Sequence, residues 1–176
     1  DRQQLSGLWI AWPLQPVSCA IVAFDAAWAP VAYAGPVPAL VRAVKLRASR
    51  PAVELMAAAI VARAPEHMLS HTATLVPGPP DPWRSRVRGT DHALLLARSV
   101  ARRTGQPVAQ ALVRSRTSRQ AGSARGARLQ RDLGMVACGI SISGPVVLVD
   151  DVHTTGATLH AAASALNMSD LDALQL

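Results

Sequence analysis

The sequence predicts an α/β fold with a mostly parallel sheet flanked by helices, and three observations carry that reading. Short apolar runs of strand type alternate along the chain with helical stripes of spacing three and four. One of them, PVVLV at 145–149, is a continuous β-branched and leucine run of the kind that parallel sheets bury on both faces. The chain has 176 residues, half of them hydrophobic, which suits one domain with its own core and argues against wholesale disorder.

The elements follow in order. Residues 1–30 read as an N-terminal segment and 31–176 as the domain proper. Gln3–Phe24 is the least charged stretch, but Pro13, Pro16 and three glutamines make it a poor membrane helix, and it lacks the basic start of a signal peptide. VAYAG (31–35) is expected as a short strand. Pro38–Leu46 and Ala52–Ala64 are expected as helices around the break Ser49-Arg50-Pro51, the second with Val53, Met56, Ala57, Ile60 and Val61 on one face. Thr72–Val76 has strand character and stops at Pro77-Gly78-Pro79-Pro80. Asp91–Arg103 is a helix with Ala93, Leu94, Ala97, Val100 and Ala101 in register, ended by Thr104-Gly105. Val108–Val113 is a weaker strand. From Arg114 to Arg131 there are six arginines and almost no apolar residue, the pattern of a long solvated excursion. The strand 145–149 runs into Asp150-Asp151, then VHTTGAT (152–158), then a helix over Leu159–Leu166, with at most a short strand at Ala173–Leu176.

The charge is concentrated. Residues 84–131 hold twelve arginines against the single acid Asp91, whereas the rest of the chain has six basic groups and ten acids. That excludes a uniformly basic, histone-like chain and points to a phosphate partner, on nucleic acid or on a small metabolite. Cys19 and Cys138 form no CxxC and have no nearby His, so neither a disulfide framework nor a zinc site is expected, and a reducing, cytoplasmic setting is. No membrane partner is expected.

The chemistry is expected at 150–158. In a parallel sheet, ligands bind beyond the carboxyl ends of the strands, where the chain turns into a helix. Gly156 lets backbone approach a ligand, amides from Thr154 to Thr158, Ala157 among them, can point at an anion, and the threonine hydroxyls add donors. Asp150 and Asp151 cannot serve that anion. They suit ligand hydroxyls or a shared divalent cation, and a ribose 5-phosphate moiety offers both features. The competing reading is a solvated acidic turn followed by an ordinary helix cap. There is no GxxxxGK[ST] and no GxGxxG, and Lys45 lies far from any glycine loop.

Here the sequence resembles a known family. VVLVDDVHTTGATL (146–159) resembles the phosphoribosyl-diphosphate motif of type I phosphoribosyltransferases. YAG (33–35) with the following helix and Lys45 resembles the segment before the first conserved lysine of the ComF-like branch. LVPGPPDPWRSRVRGTDHALLLARSVA (75–101) and RSRTSRQAGSARGARLQRDLGMVA (114–137) resemble two further blocks of that branch, in the same order. The resemblance covers roughly residues 31–166. There are departures: the VPVP turn reads Val76-Pro77-Gly78-Pro79, RGFNQ reads Arg88-Gly89-Thr90-Asp91-His92, and only Cys19 stands where the branch often carries a cysteine-rich zinc module.

The resemblance implies a type I phosphoribosyltransferase fold with a flexible hood loop over 114–131. It implies that Asp150 and Asp151 hold the ribose hydroxyls, directly or through Mg²⁺, and that Thr154, Thr155, Gly156, Ala157 and Thr158 cradle the 5′-phosphate. Val76, Pro77 and Gly78 would touch the diphosphate with Arg84 and Arg88, and with Arg86 beside them; a ligand-free proline turn and solvated arginines stay open as alternatives. Arg116 and Arg128, then Gln120, would reach the leaving group from the hood. His153 reads as a spacer, His67, His71 and His160 as surface or packed residues, and Trp9, Trp12 and Trp28 as packing. The implied ligand is 5-phosphoribosyl 1-diphosphate or a ribose 5-phosphate, with Mg²⁺, and the implied reaction is phosphoribosyl transfer to a nitrogen nucleophile. The alternative is a non-catalytic accessory or sensor in DNA uptake that binds single-stranded DNA or a phosphoribosyl ligand, although no aromatic residue lies in 84–131 to stack on bases. A second copy of the chain is a further candidate partner.

Overall fold

The computed structural model of the chain describes residues 27–80, 91–114, 135–152 and 157–173. Helix α1 spans Val37–Arg47 and begins at a proline pair, where a missing N–H costs nothing. It ends at Ala48, which takes the left-handed conformation (φ 48°) while its N–H and that of Ser49 return to Val44 O and Ala43 O. Helix α2 spans Arg50–Arg63. The break therefore falls at Ala48-Ser49, just ahead of the expected Ser49-Arg50-Pro51, because a proline in the first turn starts a helix. Val53 and Ala57 of the expected stripe are buried, with Met56, Ile60 and Val61 packed beside them.

A 3₁₀ turn at Glu66–Leu69 leads to strand β1, Thr74–Pro77, whose four residues are all buried. Helix α3 spans His92–Thr104. Asp91 caps it, its Oδ1 accepting the Leu94 N–H at 3.0 Å. Gly105 closes it at φ 76°, a conformation glycine adopts without strain. Its buried face is Ala93, Leu96, Ala97, Ser99 and Val100, so Leu96 and Ser99 take places that the sequence assigns to Leu94 and Ala101. The reason is Glu54 on α2. It accepts from Ser99 Oγ at 2.8 Å and pairs with Arg102 and, at 2.7 Å, with Arg103, which fixes the rotation of α3 against α2.

Strand β2 is Leu112–Arg114, β3 is Met135–Ala137, β4 is Val146–Val149 and helix α4 is Ala157–Ala173. β1 and β4 pair in parallel from Thr74↔Val146 to Pro77↔Val149. On the other side of β1, Leu75 bridges Val108 in parallel, with Leu75 N–H donating to Pro107 O and Ala109 N–H to Leu75 O. β1 is thus central. Gly144 (φ 88°) makes the entry to β4 fit, since a Cβ there would stand 3.0 Å from Thr72 O. Leu75 packs with Ala57, Leu96, Ala97, Val100 and Val149, whereas Val76 packs with Ala111, Leu112, Ala162 and Ala165. Consecutive residues of one strand therefore serve two cores, with α2 and α3 on one face and α4 on the other. Full burial of Leu75 alone is worth about 2–3 kcal/mol.

Among the described residues the structure is mixed α/β, with four helices and a parallel pair of strands. The expected parallel sheet is present as the small sheet of β1 and β4, with the Val108 bridge also parallel, and a separate antiparallel pair is added where β2 and β3 meet (Leu112↔Ala137, Arg114↔Met135). Three expectations are corrected. Val31–Gly35 is turn and bend, not strand: prolines at 30 and 36 withhold donors, and Tyr33 is 55% exposed. Val146 is 40% exposed, so 145–149 is not buried on both faces; β4 has no second partner among the described residues. The last helix is longer than expected and includes Ala173, where a strand was expected to begin. Among the described residues no helix is long and apolar enough to cross a membrane.

Candidate functional site

The parallel register brings the carboxyl ends of β1 and β4 level, with Pro77 opposite Val149. The pairing continues one residue further, Gly78 N–H donating to Val149 O at 2.9 Å. Gly78 thereby stands beside the acidic pair: a Cβ on it would lie 3.9 Å from Asp150 Cγ. The turn after β1 and the acids after β4, separate in sequence, share one place.

Asp150 is half-buried, and its Oδ1 accepts the Asp151 N–H at 2.8 Å. Burial strips its carboxyl of solvent and pushes it above the usual aspartate range; the Asp151 charge adds to that rise, while the Asp151 N–H, Lys45 and Arg114 oppose it. The Asp151 carboxylate meets Lys45 Nζ at 3.0 Å, with side-chain exposures of 13% and 36%. Asp150 Oδ2 and Asp151 Oδ2 have no hydrogen bond among the described residues. Arg114, at the end of β2, bears on Asp150 only through its charge, the weakest of these effects, with no ion pair between the two, and its Nε is buried without a partner among the described residues. The acids follow β4, the turn follows β1, and α1 supplies the cation that pairs with Asp151.

Of the residues expected at the site, the structure brings together Asp150, Asp151, Pro77 and Gly78. The side chain of Val76 is fully buried in the α4-facing core, so only its backbone can face a ligand. Thr158 is half-buried in the first turn of α4, which Ala157 opens. Arg84, Arg86, Arg88, Arg116, Gln120, Arg128, His153, Thr154, Thr155 and Gly156 lie outside the described residues. Among the remaining expectations, His71 is exposed, and His160 and Trp28 are half-buried.

Lys45 and Arg114 were not among the expected site residues. Lys45 did carry a signal, as the one lysine beside 17 arginines. Arg114 carried none, because nothing local distinguishes it from the arginines that follow. Some of the basic block is engaged structurally: Arg102 and Arg103 hold Glu54, and its single acid, Asp91, is a helix cap.

A cleft of about 260 Å³ lies against the Pro77–Pro80 turn, lined also by Asp91, Gln110, Leu112 and Val113. It shares Pro77 and Gly78 with the site but does not include the acidic pair, and its mainly apolar wall does not suit a phosphate.

Whether Mg²⁺ suits these residues turns on the donor set. Among the described residues no group of three or more His, Cys, Asp or Glu gathers as a metal site. Mg²⁺, however, is commonly held by one or two carboxylates, with water and substrate oxygens completing its shell. Two adjacent carboxylates, each with one oxygen that takes no hydrogen bond among the described residues, fit that pattern. Comparison of the chain with protein-family models, with curated proteins and with solved structures gives no match.

Proposed function

We propose that the chain binds 5-phosphoribosyl 1-diphosphate, with Mg²⁺, at the carboxyl ends of β1 and β4, and transfers the phosphoribosyl group to a nitrogen nucleophile on a type I phosphoribosyltransferase fold. The observation that carries this reading is the Asp150-Asp151 pair standing beside Gly78, with Lys45 paired to Asp151. Carboxylates withdrawn from water are strong acceptors for hydroxyl donors, so Asp150 and Asp151 hold the ribose 2′ and 3′ hydroxyls. The diphosphate is assigned to the Val76–Gly78 turn beside them. The 5′-phosphate is assigned to Thr154–Thr158 at the start of α4.

Loss of diphosphate from the anomeric carbon develops oxocarbenium character, and stabilising the departing anion is the main catalytic need. Arg84, Arg88, Arg116 and Arg128 are assigned that task, the last two from the excursion that would exclude water. Mg²⁺, when bound by Asp150 and Asp151, would neutralise charge on the diphosphate and organise its oxygens. The exposed thiol of Cys138, without a disulfide partner among the described residues, is in keeping with a reducing, cytoplasmic compartment.

Calorimetric titration of 5-phosphoribosyl 1-diphosphate with Mg²⁺ tests the reading. Heat is expected for the wild-type chain and is lost in Asp150→Asn/Asp151→Asn. No heat from the wild-type chain refutes the site. Binding without diphosphate release, with ammonia or any nucleobase as acceptor, identifies a sensor in place of a transferase.

The excess of arginine over residues 84–131 favours a second reading, accessory binding of single-stranded DNA. The pairing of Arg102 and Arg103 with Glu54, and the lack of aromatic residues in that stretch, weigh against it. No binding of single-stranded DNA at low salt removes this reading.

A further inference from the structure

The acidic pair already has a cation, and that cation comes from elsewhere in the fold. Lys45 belongs to the last turn of α1, and its Nζ lies 3.0 Å from Asp151 Oδ1. Two neighbouring carboxylates withdrawn from water repel each other, so a counter-charge stabilises the pair when nothing else is bound. The ammonium and a divalent cation are both drawn to the Asp151 carboxylate and repel each other there, so the two compete even where the metal takes the oxygen that Lys45 leaves free. Lys45 can also leave. It is a point charge on a flexible four-carbon stem, one-third exposed, whereas a guanidinium would clamp a carboxylate with two parallel bonds. Among 18 strongly basic residues the chain places its one lysine here.

We infer that Lys45 is an exchangeable counter-ion of the acidic pair: it holds Asp151 while no divalent cation is bound, yields that carboxylate when one arrives, and then turns its ammonium to an anionic group of the ligand. The inference rests on the reading of Asp150 and Asp151 as the ribose and metal end of the site. It assigns Lys45 a positioning role toward the acids and a binding role toward the ligand, with opposite consequences for metal alone and for ligand.

The test measures Mn²⁺, a paramagnetic substitute for Mg²⁺, by electron spin resonance on the full chain without organic ligand. Lys45→Met is expected to bind Mn²⁺ about tenfold more tightly than wild type, the effect of removing one competing unit charge. The same variant is expected to bind 5-phosphoribosyl 1-diphosphate with Mg²⁺ more weakly in calorimetry. Lys45→Arg keeps the charge and is expected to bind Mn²⁺ no more tightly than wild type. It decides the matter if Lys45→Met does not fold, since tighter binding by the arginine variant overturns the inference. Equal or weaker Mn²⁺ binding by a folded Lys45→Met also overturns it, as does a lack of Mn²⁺ binding by both chains. In either case, ligand heat that still depends on Asp150 and Asp151 leaves the reading of the site standing.

Discussion

Lys45 Nζ meets Asp151 Oδ1 at 3.0 Å across 106 positions of sequence, joining the first helix to the turn that follows the last strand. The contact closes the acidic end of the sheet with an element that precedes all its strands. The energetics of that end can be tested without any ligand.

Asp150 is the first case. Burial raises its carboxyl above the ordinary value of 3.8, with the Asp151 charge adding to the rise. A carboxyl that binds its proton more tightly folded than unfolded costs stability above its folded pKa, and that cost fades as the pH drops below it. Asp150→Asn keeps an acceptor for the Asp151 N–H and removes the buried charge. Its thermal midpoint is expected to exceed wild type at neutral pH, the gap narrowing on acidification and closing by about pH 3.8.

Glu54 has the opposite sign. The Ser99 hydroxyl, then Arg103 and Arg102, hold its carboxyl below the ordinary 4.5 against a smaller opposing effect of desolvation. The stability this contributes is present above the unfolded pKa and is lost as the pH falls through the lower folded one. Thermal scans of Glu54→Gln are expected to show a lower midpoint than wild type at neutral pH and convergence of the two chains in acid. Unchanged stability at neutral pH contradicts the α2–α3 clamp.

Ala48 offers a gain. Its left-handed conformation (φ 48°, ψ 37°) is one in which a Cβ is strained, and glycine is the usual residue at this place in a helix terminus. Ala48→Gly is expected to stabilise the chain by up to about 1 kcal/mol, after the extra backbone entropy of glycine offsets part of the relief. A urea midpoint that shifts downward excludes the left-handed geometry.

Gly78 tests the site. A methyl there would sit at ordinary contact distance from Val149 O and Asp150 Cγ, at 3.8 and 3.9 Å, so Gly78→Ala is expected to fold normally. The bulkier Gly78→Val is expected to crowd the face where the turn meets Asp150. The loss of about one ligand hydrogen bond, roughly 1.4 kcal/mol, corresponds to tenfold weaker binding of 5-phosphoribosyl 1-diphosphate. Undiminished affinity in Gly78→Val moves the diphosphate away from this turn.

Sequence periodicity located the helices well, because their stripes are continuous and their ends carry explicit signals: Pro51 at a start, Asp91 as a cap, Gly105 as a stop. The strands were legible where apolar runs end abruptly, at Pro77-Gly78 and at Asp150. Pairing was not. That β2 and β3 run antiparallel depends on how the ends of a long excursion meet, and three-residue strands carry no alternation to reveal it. The acids of the site could be read from a local motif, strand then Asp-Asp. Their counter-ion could not, because the contact from Lys45 to Asp151 is set by how α1 terminates and packs, which no local pattern encodes.

One lysine in 176 residues also makes the chain chemically addressable. An amine-selective acylating reagent has a single side-chain target, and that target touches the acidic pair. The rate of its modification, followed by mass spectrometry, becomes a site-specific reporter of whatever occupies the ends of β1 and β4, with no engineered label and no need to know the acceptor.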